Sequence, residues 1–395
     1  MNKRVKILMV LEGSFPPDER VEKEAISLIN YGFDVHIACY SFQERGRTSK
    51  NHMGIKVHTK FINSFTYKAS IGCLNFPFYF SFWKKFIWKL QDEEGFKAIH
   101  IHDLQLGRIG WKFKKYFKLP FILDLHENFP ALLDASLHIQ KFPGKLFYSS
   151  QQWNTYEKES ISNCDHVLTV VEEMRDRIIN IGIPENKIIV VPNTPEISQL
   201  KTFSGQPDKE FITLFYSGGL TIHRGLQVVI EALPFLTEKY PKLRLWIVGA
   251  GSFLKILKQQ VKQLELEGMV FFLGFKSQDQ MFELLTKSDI ALIPHLKSIQ
   301  TDNSSPNKLY QYLYYNKPIV CSDCNSLKRI LGESDSGFIY KSDSPEDFIE
   351  QLSKILQAGD ISILGNDGRK LILDRYNWDR TVQPLTHVYQ NLFKS

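Results

Sequence analysis

The 395-residue chain has no apolar run near the roughly 18–20 residues a helix needs to cross a bilayer, which argues against a spanning helix. Its first apolar run, Ile7 to Leu11, is too short for the core of a secretory leader and reads as a buried strand. Cysteine is scarce and odd in number at five, which points to reduced thiols and a cytosolic setting. Cys321 and Cys324 have CxxC spacing, but there is no second pair and no flanking histidine, so structural thiols are expected. No segment fits GxGxxG or GxxxxGK[ST], which removes the usual dinucleotide and P-loop signatures. No Asp-x-Asp occurs.

What is present is ordinary globular material: 43% hydrophobic, 23% charged, 29 Phe and 16 Tyr. The length suggests about two or three domains. The net charge of +6 is mild, but it is uneven. Arg45 to Lys118 holds 15 Lys+Arg against 4 Asp+Glu, which points to an anionic surface or ligand.

Short apolar runs alternate with amphipathic stretches. "VKILMVLEG" reads as a buried parallel strand and "DERVEKEAISLINYG" as a helix with Val21, Ala25, Leu28 and Ile29 on one face. "FDVHIACY" closes a βαβ unit, and "FKAIHIHD", "PFILDLHE", "DHVLTVV" and "KIIVVPN" continue the series. A second series starts at "FITLFYSGG". The expected fold class is α/β with two Rossmann-like domains facing a central cleft. The boundaries are residues 1–193, a polar linker at 194–210, a second domain at 211–376, and a C-terminal helix at 377–395 crossing back to the first domain.

Three glycine-bearing turns follow strands: "LEGS" with Gly13, "YSGGL" with Gly218 and Gly219, and "VGAGS" with Gly249 and Gly251. Such turns let backbone amides approach a phosphate, although glycine also ends strands for plain steric reasons. Two cations are placed at helix starts. In "SSPNKLYQYL" Ser305 reads as an N-cap, Pro306 as the first helical residue and Lys308 as part of the first turn. Arg224 precedes a helix starting near Gly225. A cation there opposes the helix dipole by about 0.3–1 kcal/mol, unless an anion lies between. A ligand diphosphate between Arg224 and Lys308 would supply it.

Nine segments in order, among them "DLHENFPALL", "CDHVLTVVEEMRDRI", "YSGGLTIHRGLQVVIEAL" and "PNKLYQYLYYNKPIVCSD", resemble family 4 glycosyltransferases across nearly the whole chain. The resemblance implies the GT-B fold and a retaining, metal-free transferase using a nucleotide-sugar as co-substrate. It implies Arg224 and Lys308 on the diphosphate. The backbone of Ser304, Ser305, Pro306 and Asn307 would face phosphates and sugar, with Gly13 on the opposite wall. Gly218 and Gly219 would line the donor turn. Gly249, Gly251 and Phe275 would approach the nucleoside, and His126 the sugar or an acceptor hydroxyl. The family's Glu-x7-Glu becomes Asn303-x7-Gln311 here, and Gly219 stands where the family often has Arg.

"CLNFPFYFSFWKKFIWKLQ" and "WKFKKYFK" mix aromatics with lysine. One reading is a core helix with lysine stems turned outward. The other is peripheral contact of residues 73–118 with an anionic membrane. No recognition motif supports nucleic acid. The expected activity is sugar transfer to a glycan or lipid-linked acceptor in cell-surface polysaccharide assembly, at the cytoplasmic face. Two alternatives stay open: a nucleotide-sugar binding subunit without turnover, and a nucleotide-sugar epimerase.

Overall fold

The computed structural model describes residues 4–43, 45–70, 72–135 and 148–394. The chain forms two compact units, Met1–Pro192 with Val382–Ser395, and Asn193–Thr381.

Unit 1 is built on an eight-stranded sheet: β1 (Lys6–Val10), β2 (Asp34–Ser41), β3 (Arg47–His52), β4 (Ile55–Phe61), β5 (Ala98–His102), β6 (Phe121–Leu125), β7 (His166–Thr169) and β8 (Ile188–Val190). The order is β3-β4-β2-β1-β5-β6-β7-β8, parallel except where β3 meets β4. β5 and β6 are buried at every residue. Helices cover both faces, so even their polar residues His100, His102 and Asp124 are buried. The strand order turns at β1, between β2 and β5, and a ligand crevice in such sheets opens outside the C-terminal strand ends at that point.

Unit 2 has six parallel strands: β9 (Ile212–Ser217), β10 (Leu243–Val248), β11 (Val270–Gly274), β12 (Ile290–Ile293), β13 (Ile319–Ser322) and β14 (Gly337–Tyr340). Their order is β11-β10-β9-β12-β13-β14, so the turning point lies between β9 and β12. Alternation along β9 sends Leu214 and Tyr216 into one core and Phe215 into the other.

Three expectations change. Residues 194–210 are not a free linker. They belong to unit 2, where Phe203 packs on Phe282 and Tyr315, and the Tyr315 hydroxyl donates to Lys201 O at 2.8 Å. The C-terminal crossing falls at 381/382 rather than at 376/377. Trp378 still bonds to Pro195 in unit 2, while the helix Gln383–Phe393 belongs to unit 1. There Tyr389 meets Phe33, and Gln383 accepts a hydrogen bond from Tyr31.

The third concerns the basic aromatic stretch. Most of its rings are core. In the helix Phe78–Glu94, Tyr79, Phe80, Trp83, Phe86, Ile87 and Leu90 repeat at helical spacing and are buried, and Gly95 ends the helix with φ +70. The outward aromatics of the stretch are Phe76, Phe78 and Tyr116, with Phe65 and Tyr67 exposed just before it.

Candidate active site

The C-terminal ends of β9 and β12 place the two expected cations together in unit 2. Gly225 has φ +68, and a Cβ there would lie 1.7 Å from Pro294 O. Only glycine lets the turn Ile222–Arg224 seat against the end of β12, where Leu296 N donates to His223 O at 2.9 Å. That seating brings Arg224 Nη1 to 3.0 Å from His295 Nε2. A guanidinium only donates, so His295 accepts at Nε2 and is neutral. Burial, with Lys308 and Arg224 nearby, holds its pKa well below the ordinary histidine range.

Lys308 lies in the first turn of the helix Asn307–Tyr314. Its ammonium sits 3.9 Å from the centre of the Tyr216 ring, and it is buried with no hydrogen-bond partner among the described residues. Burial, then Arg224, depresses its pKa well below the usual lysine range. A Cβ on Gly218 (φ +138) would come within 2.7 Å of Lys308 Nζ, so the bare backbone is what lets the ammonium lie under this turn. A Cβ on Gly219 would meet nothing within 4 Å.

The helix start differs from expectation. Pro306 is the N-cap, with extended backbone (ψ 134), and Asn307 begins the helix. Ser305 is not the cap; its hydroxyl is buried without a partner among the described residues. The Ser304 carbonyl accepts a hydrogen bond from Ser326. Asn303 donates to Ile299 O at 2.7 Å, and Asp302 accepts from Asn325 N at 2.8 Å. Gln311 is half-buried on the same helix.

Gly249 and Gly251 have a structural reason to be glycine. A Cβ on Gly249 would lie 1.9 Å from Gly218 O, and one on Gly251 2.1 Å from Leu220 O. The β10 turn is thus packed backbone to backbone on the β9 turn. Phe275 is 84% exposed.

In unit 1, Gly13 follows β1 and its carbonyl accepts from Tyr40 N at 3.0 Å. A Cβ there would meet only the Leu11 side chain, at 3.7 Å, so nothing steric demands glycine. His126 follows β6. Its Nε2 is 3.0 Å from Asp124 Oδ2, and its Nδ1 is 3.6 Å from Asp103 Oδ1. Burial alone would lower its pKa; Asp103 and Asp124 outweigh that and raise it to about 10. His126 is therefore an imidazolium at neutral pH.

Residues 21–197 match Glycosyltransferase Family 4, and residues 198–370 match Glycosyl transferases group 1. The chain belongs to glycosyltransferase family 4. An uncharacterized glycosyltransferase of Methanocaldococcus jannaschii is 22% identical over 312 residues, which is 75% of either chain. Sucrose-phosphate synthase from Thermosynechococcus elongatus superposes with TM-score 0.77 at 13% identity, over 99% of both chains. HepE of Anabaena, solved in complex with UDP, superposes with TM-score 0.74 at 13% identity, over 98% of this chain and all of that one. The fold of the glycosyltransferase is GT-B.

Several residues around these sites of the glycosyltransferase escaped the sequence reading. His295 and Tyr216 flank the unit 2 cations. Asp103 faces His126 with φ +68 and ψ 149, a conformation costing a non-glycine residue about 1–3 kcal/mol. Glu12, beside Gly13, is raised by burial to about 8. The available signal was position: each lies at or just past a strand end. The five cysteines are free and buried, and burial pushes the Cys321 and Cys324 thiols up.

Proposed function

We propose that the chain is a retaining glycosyltransferase that moves a sugar from a nucleotide diphosphate-sugar to a hydroxyl of a glycan or lipid-linked acceptor. Unit 2 takes the donor and unit 1 the acceptor. The observation that carries this reading is the Lys308 ammonium, buried beside Arg224 with no hydrogen-bond partner among the described residues. Two cations held together in a buried site favour an anion strongly, and a diphosphate fits both. As the bond from the anomeric carbon to the diphosphate oxygen breaks, charge builds on the leaving group between Arg224 and Lys308. Stabilising developing charge with fixed partners commonly lowers a barrier more than any other single effect. The new bond forms to the acceptor oxygen, and the acceptor proton passes to the leaving phosphate. In this reading Arg224 and Lys308 carry the charge stabilisation and no metal is invoked. The UDP bound by HepE is consistent with this ligand class.

The supporting experiment is a panel of UDP-, GDP- and ADP-sugars tested for binding and slow release of free nucleotide diphosphate, without acceptor. Release from one donor supports the reading. Binding of none overturns it. A binding subunit without turnover is the second reading, favoured by Asn303, a neutral amide that already gives one N–H to Ile299 O.

The setting proposed is cell-surface polysaccharide assembly at the cytoplasmic face of a membrane. No helix among the described residues is long and apolar enough to span one. Peripheral contact rests on the exposed Phe65, Tyr67, Phe76 and Phe78, which neighbour Lys68, with Lys84, Lys85 and Lys89 on the outer face of the following helix. Each lysine near an anionic surface contributes about 1 kcal/mol, enough for reversible binding. Equal co-sedimentation with neutral and anionic vesicles would refute this contact.

A further inference from the structure

β5 directs His100 and His102 to one face of the unit 1 sheet, against Glu24 of the helix Glu19–Asn30. Their rings stack with centroids 4.5 Å apart. Each imidazole is engaged at Nδ1. His100 Nδ1 lies 3.0 Å from the Tyr389 hydroxyl, and His102 Nδ1 lies 3.4 Å from Asp124 Oδ2. Nε2 of both and Oε2 of Glu24 are buried without a hydrogen-bond partner among the described residues, while Glu24 Oε1 pairs with Arg20 at 3.0 Å. All three side chains are fully buried. One donor atom from each of Glu24, His100, His102 and Asp124 lies within 4.8 Å of every other.

The chemistry of this set is one-sided. His102 Nδ1 also lies 3.3 Å from His126 Nε2; with its Nδ1–H turned to the Asp124 carboxylate, which only accepts, His102 presents a lone pair at Nε2. With the Tyr389 oxygen accepting from His100, that imidazole does the same. Two lone pairs and the Glu24 carboxyl, which burial raises to about 8, then share a dry interior, and each buried group left unmet costs about 1–3 kcal/mol. A cation is what such a set lacks. We propose that Glu24, His100 and His102 form a structural site for a divalent cation of the zinc type, buried in unit 1 next to His126.

Imidazole nitrogens bind zinc at about 2.0–2.1 Å and carboxylate oxygens at about 2.0–2.2 Å, so two ligands of one ion sit roughly 3–4 Å apart. His100 Nε2 and Glu24 Oε2 are 4.0 Å apart, near the upper end of that range. Asp124 behind His102 and Tyr389 behind His100 supply the outer hydrogen bonds that orient ligating histidines. Arg20 lies 3.0 Å from Glu24 Oε1 and also holds Asp124 and Val191 O, which leaves Oε2 to the ion. Glu24, Asp124 and Asp103 offset the charges of Arg20, His126 and the ion in large part. Burial leaves loading to the folding step.

A second group, His36, His58 and Glu94, shows the contrast. His36 and His58 bond to each other at 2.9 Å, His58 bonds to Ser49 at 2.8 Å, and Glu94 is taken by Lys6 and Lys56. It has no such unmet set.

The test is to express the full chain with zinc supplied, desalt it, and measure zinc per chain together with X-ray absorption at the zinc edge. The expected result is roughly one zinc per chain in a shell with two imidazoles, with affinity falling by 10-fold or more in Glu24→Gln and His102→Gln. A zinc-free chain overturns the proposal, as would a buried water satisfying these atoms. So does zinc retained equally by folded variants, or a zinc shell without two imidazoles. Where the variants fail to fold, the absorption shell of the unaltered chain decides.

Discussion

Replacing Lys308 with methionine separates stability from activity by sign. The ammonium is buried, lacks a hydrogen-bond partner among the described residues, and is repelled by Arg224. Leaving such a group unpaired costs about 1–3 kcal/mol, and contact with an aromatic face returns about 0.5–2 kcal/mol. Methionine is of similar length and brings neither charge nor unmet donors. Lys308→Met is therefore expected to stabilise unliganded unit 2 by about 1 kcal/mol, a rise in Tm of roughly 2–4 °C for a unit of this size. The gap has a pH signature. The native pKa is depressed, so the unfolded chain binds the extra proton as pH rises from the depressed value toward about 10.4. Wild-type stability then climbs with pH through that window, and the advantage of methionine shrinks. Donor turnover should fall by about 10²-fold or more, because charge on the leaving diphosphate loses a partner. Thermal denaturation across pH, beside nucleotide diphosphate release, reads both effects. A variant that is less stable than wild type and transfers normally would refute the reasoning.

Other substitutions test neighbouring steps. Arg224→Ala should keep unit 2 folded yet lose about 10²-fold or more in transfer; near-normal release of nucleotide diphosphate would remove the diphosphate clamp. Gly249→Ala should cost unit 2 about 3 kcal/mol or more, since its Cβ would meet Gly218 O at 1.9 Å, whereas Gly219→Ala should be nearly silent. Denaturant melts of the two compare them directly. Glu94 tests the pH behaviour of unit 1. Burial alone would raise its pKa, but hydrogen bonds from Lys56 and Lys6 hold it at about 2. That stability is present above the unfolded value of about 4.3 and fades as pH falls toward 2. With Lys56 partly exposed, about 1–2 kcal/mol is expected. Glu94→Gln should thus be less stable at pH 7 and converge with wild type near pH 2; a gap that does not change with pH would contradict this.

The alternation of strands and helices was legible because both faces of each sheet are covered, so buried strands appear as mostly apolar runs. Cap placement was not. Proline fixes φ near a value shared by helix and extended chain, and Pro306 went extended because ψ is set by its surroundings. The linker was misread because polar composition does not distinguish a free segment from one laid on a surface; Phe203 was the clue. Lys308 stood out through the helix dipole alone, but its burial and its approach to Arg224 depend on β9 and β12 being neighbours. Gly249 and Gly251 drew a ligand reading, whereas close backbone packing accounts for them. The histidines of "AIHIHD" looked like strand filler, and only the helix carrying Glu24 gives their shared face a meaning.

The return of Val382–Ser395 to unit 1 sets the order of events on the ribosome. Domains ordinarily complete themselves from the N-terminus as they emerge. Here the first unit must wait for the whole of the second to be synthesised, on the order of ten seconds or more at about 5–20 residues per second. Until Tyr389 arrives, Phe33 and His100 lack the partner that covers them. Unit 2 is contiguous and has no such wait. Unit 2, made after most of unit 1, is thus the first able to finish folding, and a fragment stopped at Thr381 would leave the earlier part open.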